Sequence, residues 1–346
     1  PDVSALSDVW WFKFYLNRAL APLDDFIAAN KIDTSDYVDS LFNEGVRDGA
    51  TFWIPFARST PLFYYNKNAF GAIGLESPPK TWTEFAQVAP KLVTKNGSQI
   101  TRAAFAWPAD ASDQAWIFQG IDWAFGGSYS DADFNILINK PESVAAGEFA
   151  RTSVQDGWAV VSQDPDNGPN TDFYNGLAAA TITSTGGLTT IMANAKFDVG
   201  AAFLPAEKTY GCSTGGAGLA VLSTAPKERQ EAGFKYIAFA TSPEITTYWS
   251  QNTGYMPVRK SAIASKAMQD FFAKNPNYKV AVDQLPKTRQ QDAARVDIPN
   301  GDQIIGKGLA QILINNTPSQ QAFDDVAATL TDEAQPVIAA LKALKQ

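Results

Sequence analysis

Two residue types that catalytic and metal sites commonly use are almost absent from this sequence. Histidine does not occur, and cysteine occurs once, as Cys212. A Ser-His-Asp or Cys-His catalytic arrangement within the chain is therefore impossible, and so is a structural zinc site built from Cys and His clusters. A lone cysteine cannot form a disulfide within the chain, so we expect Cys212 to be a buried, unreactive thiol.

Long apolar segments and clusters of basic residues are also missing. No apolar run approaches the ~18 residues that would predict a membrane-spanning helix. Lys and Arg number 28 against 36 Asp and Glu, a net charge of -8, and the basic residues do not cluster as they would to follow a phosphate backbone. The composition therefore argues against nucleic acid as a partner, and its acidity mainly favours solubility.

The first residues, 1–6, contain no initiator Met, no basic region and no long apolar stretch. They have the pattern of a strand that is entered directly. We therefore expect a mature or truncated form, from which an earlier N-terminal segment is missing.

Strand-like and helix-like stretches alternate along all 346 residues, which predicts an α/β protein. Thr81 and Glu84 form a capping-box pattern ahead of apolar residues at helical spacing, although Pro90 could shorten that helix. Several other segments begin or end at turn-forming residues. One predicted helix spans 227–241. A second begins at Ser242, runs towards Trp249 and stops before Gly254, and buried strands are predicted over 199–204 and 218–222.

Two loops resemble ligand-binding motifs only loosely. The loop 164–168 is rich in Asp and Asn but lacks the ligand spacing and closing Glu of an EF-hand, so a turn is the better interpretation. The glycine-rich stretch 214–218 has neither the GxGxxG spacing nor the Lys-Ser/Thr pair of a phosphate-binding loop, and glycines that allow close backbone approach explain it equally well. We predict no metal and no organic cofactor.

Aromatic residues are abundant, with 9 Trp, 11 Tyr and 22 Phe. Clusters at 10–12, 63–65 and 116–125 could line a cleft in which rings stack on a sugar or surround a quaternary ammonium. For any single ring, burial in the core is favoured, because aromatic side chains dominate core packing. Paired carboxylates for glycoside hydrolysis are another possibility, but the sequence alone does not identify two that face each other.

The segment 59–67, Ser-Thr-Pro-Leu-Phe-Tyr-Tyr-Asn-Lys, closely resembles a strand in the extracellular solute-binding proteins of ABC importers. The segments 78–85, 253–259 and 303–330 match the same family, so the resemblance covers essentially the whole chain. Within the family the sequence is most similar to the glycerol-3-phosphate and glycerophosphocholine binding proteins, especially those of actinobacteria. The segments that carry this similarity are 7–12, 123–127, 213–218 and 283–286.

Carried over position by position, the resemblance implies a pocket of seven residues. They are Asp8, Ser59, Trp116, Ser184, Gly216, Tyr255 and Arg295. Arg295 would supply a guanidinium for a phosphodiester, Asp8 would accept from glycerol hydroxyls, and Trp116 would offer a ring face to the glycerol or choline end. Without the resemblance, Arg295 would be interpreted as a member of a surface ion pair.

The remaining implied contacts are hydroxyl groups and a backbone amide. Ser59, Ser184 and Tyr255 would donate hydroxyls, and the Gly216 amide would approach the ligand closely. Two further residues, Asp113 and Trp123, are possible ligand contacts. Asp113 stands where a glycerophosphocholine binder of the family has an apolar residue, so this acid would either help to bind a choline cation or indicate a different headgroup.

The resemblance implies an α/β fold with two lobes, of the periplasmic-binding-protein type (type II), and a ligand cleft between the lobes. We expect lobe 1 to comprise residues 1–106 and 216–278, with its N-terminal segment missing, and lobe 2 to comprise residues 107–215 and 279–346. The chain would cross between the lobes near residues 106, 215 and 278. A solute that contacts both lobes would stabilise the closed form.

The implied function is the capture of a glycerophosphodiester, either glycerophosphocholine or sn-glycerol-3-phosphate. The protein would be a monomer that catalyses no reaction, and it would deliver its ligand to the membrane-bound permease subunits of an ABC importer. The implied location is outside the cytoplasmic membrane, in the periplasm or on a lipid anchor. A binding protein for maltose, trehalose or another small saccharide is the alternative, and it would not need Arg295. A glycoside hydrolase, from a different class, is less favoured.

Overall fold

The structure is a computed structural model that describes residues 1–164 and 168–344, so the predicted turn at 164–168 falls largely outside it. The strands are β1 (Val3–Ser7), β2 (Val46–Arg47), β3 (Ala50–Thr51), β4 (Ile54–Ser59), β5 (Pro61–Asn66), β6 (Thr94–Asn96), β7 (Gln99–Trp107), β8 (Ala159–Val161), β9 (Ala178–Ser184), β10 (Val199–Ala202) and β11 (Gly215–Val221). The α-helices are α1 (Trp11–Leu16), α2 (Asp24–Ala29), α3 (Asp39–Phe42), α4 (Lys67–Ala72), α5 (Trp82–Leu92), α6 (Ala111–Phe125), α7 (Pro141–Gln155), α8 (Gly168–Tyr174), α9 (Leu188–Asn194), α10 (Lys227–Ala240), α11 (Pro243–Thr253), α12 (Lys260–Ala264), α13 (Lys266–Lys274), α14 (Pro276–Gln284), α15 (Ala293–Val296), α16 (Gly301–Leu313) and α17 (Ser319–Leu344).

Two main sheets organise the described chain. Strands β1, β11 and β4 form an antiparallel sheet in that order. The larger sheet has the order β10-β5-β9-β7-β6, and β8 pairs with β7 beside it. Strand β7 runs parallel to both β8 and β9, as connections through α6, α7 and α8 allow. Strands β2 and β3 form a separate hairpin.

The chain first passes from one main sheet to the other between strands β4 and β5. Strands β4 and β5 are separated only by Thr60, yet β4 pairs with β11 whereas β5 pairs with β9 and β10. The chain therefore leaves the three-stranded sheet at Thr60, whereas the predicted boundary of lobe 1 lies near residue 106. Both strands are almost entirely buried, so their apolar patterns run together in the sequence.

The largest core cluster lies where the six-stranded sheet meets helices α5, α6, α7, α16 and α17. Helices α6 and α16 approach closely because Gly306 has no side chain: a Cβ there would lie 1.9 Å from the carbonyl oxygen of Ala111. A smaller cluster packs α1 against β1 and touches α17 through Val337. The C-terminal helices therefore fix α6 and the segment before α16, which both contribute to the site described below.

Several predicted helix boundaries are confirmed. Thr81 and Glu84 form the capping box of α5, and the helix continues through Pro90 to Leu92. The predicted helix at 227–241 is α10. In α11, the Ser242 hydroxyl accepts a hydrogen bond from the Ile245 N–H, and the helix ends at a left-handed Gly254.

Candidate ligand-binding site

A cavity of about 500 Å³ lies where the ends of strands from both sheets meet. All seven residues implied for the pocket line it, together with Asp113. Ser59 and Ser184 are the last residues of β4 and β9, and Asp8 directly follows β1. Because these strands belong to different sheets, a molecule in the cavity would contact both parts of the fold.

Arg295 occupies the centre of a polar network in this cavity. Its side chain is 4% exposed and forms an ion pair with Asp8 at 3.6 Å. One terminal nitrogen donates to Gln291 Oε1, and the other donates to the Ser112 carbonyl at 3.3 Å. The Gln291 amide in turn donates to Asp8. The Arg295 Nε is buried and has no hydrogen-bond partner within the described residues, so one donor of the guanidinium is unused.

Trp116 is fixed at its indole edge. Its Nε1 donates to the Thr214 carbonyl at 2.9 Å. The neighbouring Gly215 allows this approach, since a Cβ there would lie 2.6 Å from the Trp116 ring. The side chain is 6% exposed, and the part that faces the cavity is therefore held in one orientation.

Tyr255 is positioned by aromatic stacking and by a second close approach of a glycine. Its ring stacks on Trp249 with centroids 6.3 Å apart and an interplanar angle of 14°. A Cβ at Gly186 would lie 2.7 Å from the ring. Burial raises the pKa of the Tyr255 hydroxyl, so the group is a neutral hydrogen-bond donor at ordinary pH.

The remaining predicted contacts lie at strand ends where the backbone turns. The Ser184 hydroxyl accepts from the Gly186 N–H at 3.0 Å, which leaves its own hydrogen as a donor towards the cavity. Gly216 has a φ of +100° and a Cβ there would lie 2.1 Å from the Ala57 carbonyl oxygen, so only glycine fits. Its carbonyl accepts from the Asp8 N–H at 3.0 Å.

Asp113 lies one helical turn before Trp116 on α6 and is exposed at the cavity wall. Its backbone N–H donates to Asp110 Oδ1 at 3.0 Å. Partial burial raises the pKa of the Asp113 carboxyl, the Asp110 carboxylate adds to this effect, and Arg295 opposes it. The cavity therefore holds an acid and a guanidinium close enough to influence each other.

Trp123, the other possible contact, does not line the cavity. Its ring is 2% exposed, and its Nε1 donates to Asp292 Oδ2 at 3.0 Å. The Arg289 guanidinium lies 3.7 Å from the ring centroid. Trp123 is thus part of the interior, where it holds the segment that leads to Arg295.

Two groups of lining residues were not among the ligand contacts that the resemblance implied. Trp10 and Lys13 come from the start of α1. The segment before α16 and its first turn contribute Asp297, Ile298, Pro299, Asn300, Asp302 and Gln303. Trp10 belonged to a recognised aromatic cluster, but its sequence gives no sign that the ring is 55% exposed. The turn carried a usable signal, since Pro299, Asn300 and Gly301 follow the helix that carries Arg295 after two intervening residues.

A second cavity, also of about 500 Å³, lies on the other side of Asp8 and shares Asp8, Val296 and Asp297 with the first. Arg47 reaches into it, covers the Trp11 ring at 4.7 Å and approaches Asp297 at 3.6 Å. Burial raises the pKa of Asp297 to about 6, although Arg47 opposes the shift. No group of three or more His, Cys, Asp or Glu within 1–164 and 168–344 could hold a metal ion.

Comparison with known proteins identifies the family to which the chain belongs. Residues 3–279 match the family of bacterial extracellular solute-binding proteins, and because this is more than half of the chain, the chain belongs to that family. It is a solute-binding component of an ABC importer. No helix in the described part of the chain is both long and apolar enough to cross a bilayer.

Individual relatives are consistent with the family and the fold. The chain is 28% identical to the sn-glycerol-3-phosphate-binding periplasmic protein UgpB of Escherichia coli strain K12 over 348 residues, which cover 94% of this chain and 77% of that protein. The crystal structure of UgpB from Mycobacterium tuberculosis in complex with glycerophosphocholine has a TM-score of 0.92 and 42% identity, covering 98% of this chain and 85% of the other. Maltose-bound MalE3 of T. maritima has a TM-score of 0.83 at 21% identity, covering 96% and 84%, and confirms the two-lobed fold only.

Proposed function

We propose that this chain captures a glycerophosphodiester in the cavity around Arg295 and delivers it to the permease. The observation that carries the proposal is the buried Arg295, whose Nε has no hydrogen-bond partner within the described residues. A guanidinium donates in a planar fork that suits a phosphodiester. Hydroxyl donors from Ser59, Ser184 and Tyr255 line the same cavity. The relatives named for glycerol-3-phosphate and glycerophosphocholine support this ligand class.

The sheet memberships suggest revised lobes. We infer that lobe 1 comprises 1–59 and 215–278, and that lobe 2 comprises 61–214 and 279–344. Asp8, Ser59, Gly216 and Tyr255 would then face Arg295 and its neighbours across the cleft. A ligand held from both sides favours the closed arrangement by the difference in its affinity for the two states.

We further propose that the protein is a monomer that returns its ligand chemically unchanged. The chain contains no histidine, and among the described residues that line the cavity no side-chain hydrogen bond joins a serine or tyrosine hydroxyl to a carboxylate. Recovery of intact ligand after prolonged incubation, and a monomer mass by light scattering, would support these two points. Release of a free alcohol would contradict the first. Lipid anchoring of the natural protein stays a prediction, which labelling of cells with a fatty-acid analogue would test.

Isothermal calorimetry tests the ligand class. We expect saturable binding of glycerophosphocholine and no binding of maltose. Arg295→Ala should weaken binding by about 30-fold or more, because truncating one partner of a buried charged pair costs about 2–5 kcal/mol. Arg295→Lys should recover only part of this loss, since an ammonium lacks the planar fork.

A matched control is Arg229→Ala. Arg229 is exposed and pairs with Asp2 outside the cavity, so its removal should leave the affinity unchanged. Binding of maltose with full affinity in Arg295→Ala would overturn the ligand class and favour a saccharide. Equal losses in both variants would mean that net charge, and not Arg295 itself, determines binding.

A further inference from the structure

The cavity presents opposite charges to one ligand. The charged side chains that line it are the cations Lys13 and Arg295 and the carboxylates Asp8, Asp113, Asp297 and Asp302. Carboxylates outnumber cations, so a ligand that brings only negative charge would meet net repulsion. A ligand that carries a cation as well as a phosphate would avoid this repulsion.

Three of the four carboxylates already have partners. Asp8 pairs with Arg295 and accepts from Gln291. Asp297 approaches Arg47 at 3.6 Å, and Asp302 accepts from the Gln303 amide at 3.3 Å. Among the described residues, no hydrogen bond or salt bridge reaches the carboxylate of Asp113, although it lines the same cavity.

Asp113 has aromatic neighbours in the cavity wall. Trp116 lies on the same face of α6 one turn later. Trp10 contributes from α1, is 55% exposed, and stacks on no other ring within 1–164 and 168–344. A carboxylate without a hydrogen bond or salt bridge therefore lines one cavity with two indoles, and organic ammonium groups bind where a counter-charge and an aromatic face are both available.

We infer that this cavity selects glycerophosphodiesters whose headgroup carries a cation, with Asp113 as the residue that pairs with that cation and Trp10 and Trp116 as its aromatic walls. This inference rests on the proposed function, in which Arg295 holds the phosphate. It goes further, because it ranks the ligands within the class. Diesters of choline and ethanolamine bind more tightly than diesters of glycerol or inositol, and more tightly than glycerol-3-phosphate, which has an extra negative charge and no cation.

Calorimetry with glycerophosphocholine, glycerophosphoethanolamine, glycerophosphoglycerol and glycerol-3-phosphate tests the ranking. Asp113→Asn should weaken binding of the two cationic diesters by about fivefold, as expected for a partly exposed ion pair. The same change should leave glycerophosphoglycerol unchanged and should strengthen glycerol-3-phosphate. Asp113→Glu should restore the preference, and Trp10→Ala should lower it about twofold or more.

Asp25→Asn is the matched control, because it also removes one carboxylate. Asp25 is exposed on α2 and does not line the cavity. Its ligand ranking should equal that of the wild type. Equal affinities for cationic and neutral diesters in the wild type, or an equal loss for both in Asp113→Asn, would overturn the inference and leave the proposed function intact. Failure of every glycerophosphodiester to bind would overturn both.

Discussion

The two halves of helix α6 carry the same residue types in opposite surroundings. In the first half, Asp113 and Trp116 face the cavity. In the second half, Asp122 and Trp123 are 0% and 2% exposed and lie in the interior. A Trp and an Asp on one helix are therefore no sign of a ligand site by themselves. The two pairs differ in their surroundings: other parts of the protein cover the helix surface at Asp122 and Trp123, whereas the surface at Asp113 and Trp116 borders the cavity.

Each half also supports Arg295 in a different way. The Ser112 carbonyl next to Asp113 accepts directly from the Arg295 guanidinium. In the second half, Trp123 does not contact Arg295 but donates a hydrogen bond to Asp292. Asp292 also accepts from the Tyr129 N–H at 2.7 Å. Asp292 lies three residues before Arg295, so the interior half of α6 positions the segment from which Arg295 projects.

The largest effect should come from the interior half. Trp123→Ala should lower the free energy of unfolding by about 3–5 kcal/mol, because it leaves a cavity and removes the hydrogen bond to Asp292. Denaturation by urea measures this loss. Trp10→Ala, which truncates an exposed ring in the cavity wall, should change stability by only about 0.5 kcal/mol. Comparable losses in the two variants would contradict the contrast between interior and cavity.

A smaller effect should follow when the cavity half is disturbed without touching its charges. Gly215→Ala places a Cβ 2.6 Å from the Trp116 ring, so the ring must shift and stability should fall by about 1–3 kcal/mol. Glycerophosphocholine affinity, measured by calorimetry, should fall as well. Gly71→Ala is the matched control, since a Cβ there meets nothing within 4 Å. An unchanged affinity in Gly215→Ala would show that the ring position does not matter.

This contrast also explains what the sequence could and could not predict. The capping box at Thr81 and the end of α11 at Gly254 were predictable, because local chemistry determines them. The family resemblance named seven residues that line one cavity, although ligand binding by them stays a prediction. The sequence did not indicate that Trp123 lies outside this cavity. Nearly every residue of α6 beyond Asp113 is buried, so apolar periodicity does not show which face of the helix borders the cavity.

The first crossing between sheets was missed for a related reason. Strands β4 and β5 form almost one continuous buried stretch, and their partners, β11 and β9, lie more than a hundred residues away in the sequence. Local patterns predict that a strand exists, but they carry no information about which distant strand will pair with it. Only the folded chain reveals that Thr60 separates two sheets.

The smallest effect should be a change in pH dependence caused by Asp122. Burial, with a contribution from the Asp292 carboxylate, raises its pKa to about 8 from a usual value of 3.8, although the Ser143 hydroxyl opposes the shift. The folded state thus keeps a proton that the unfolded state releases above pH 3.8. The stability contributed by this protonated acid is greatest at low pH and is lost as the pH rises towards 8.

Asp122→Asn should remove this dependence. Between pH 5 and pH 7, the free energy of unfolding of the variant should rise relative to the wild type by about 1 kcal/mol or more, as urea denaturation at several pH values would measure. Asp332→Asn, on the exposed face of α17, should show no such trend. Parallel pH profiles for wild type and Asp122→Asn would mean that Asp122 is ionised in the folded protein, and that the interior half of α6 tolerates charge as the cavity half does.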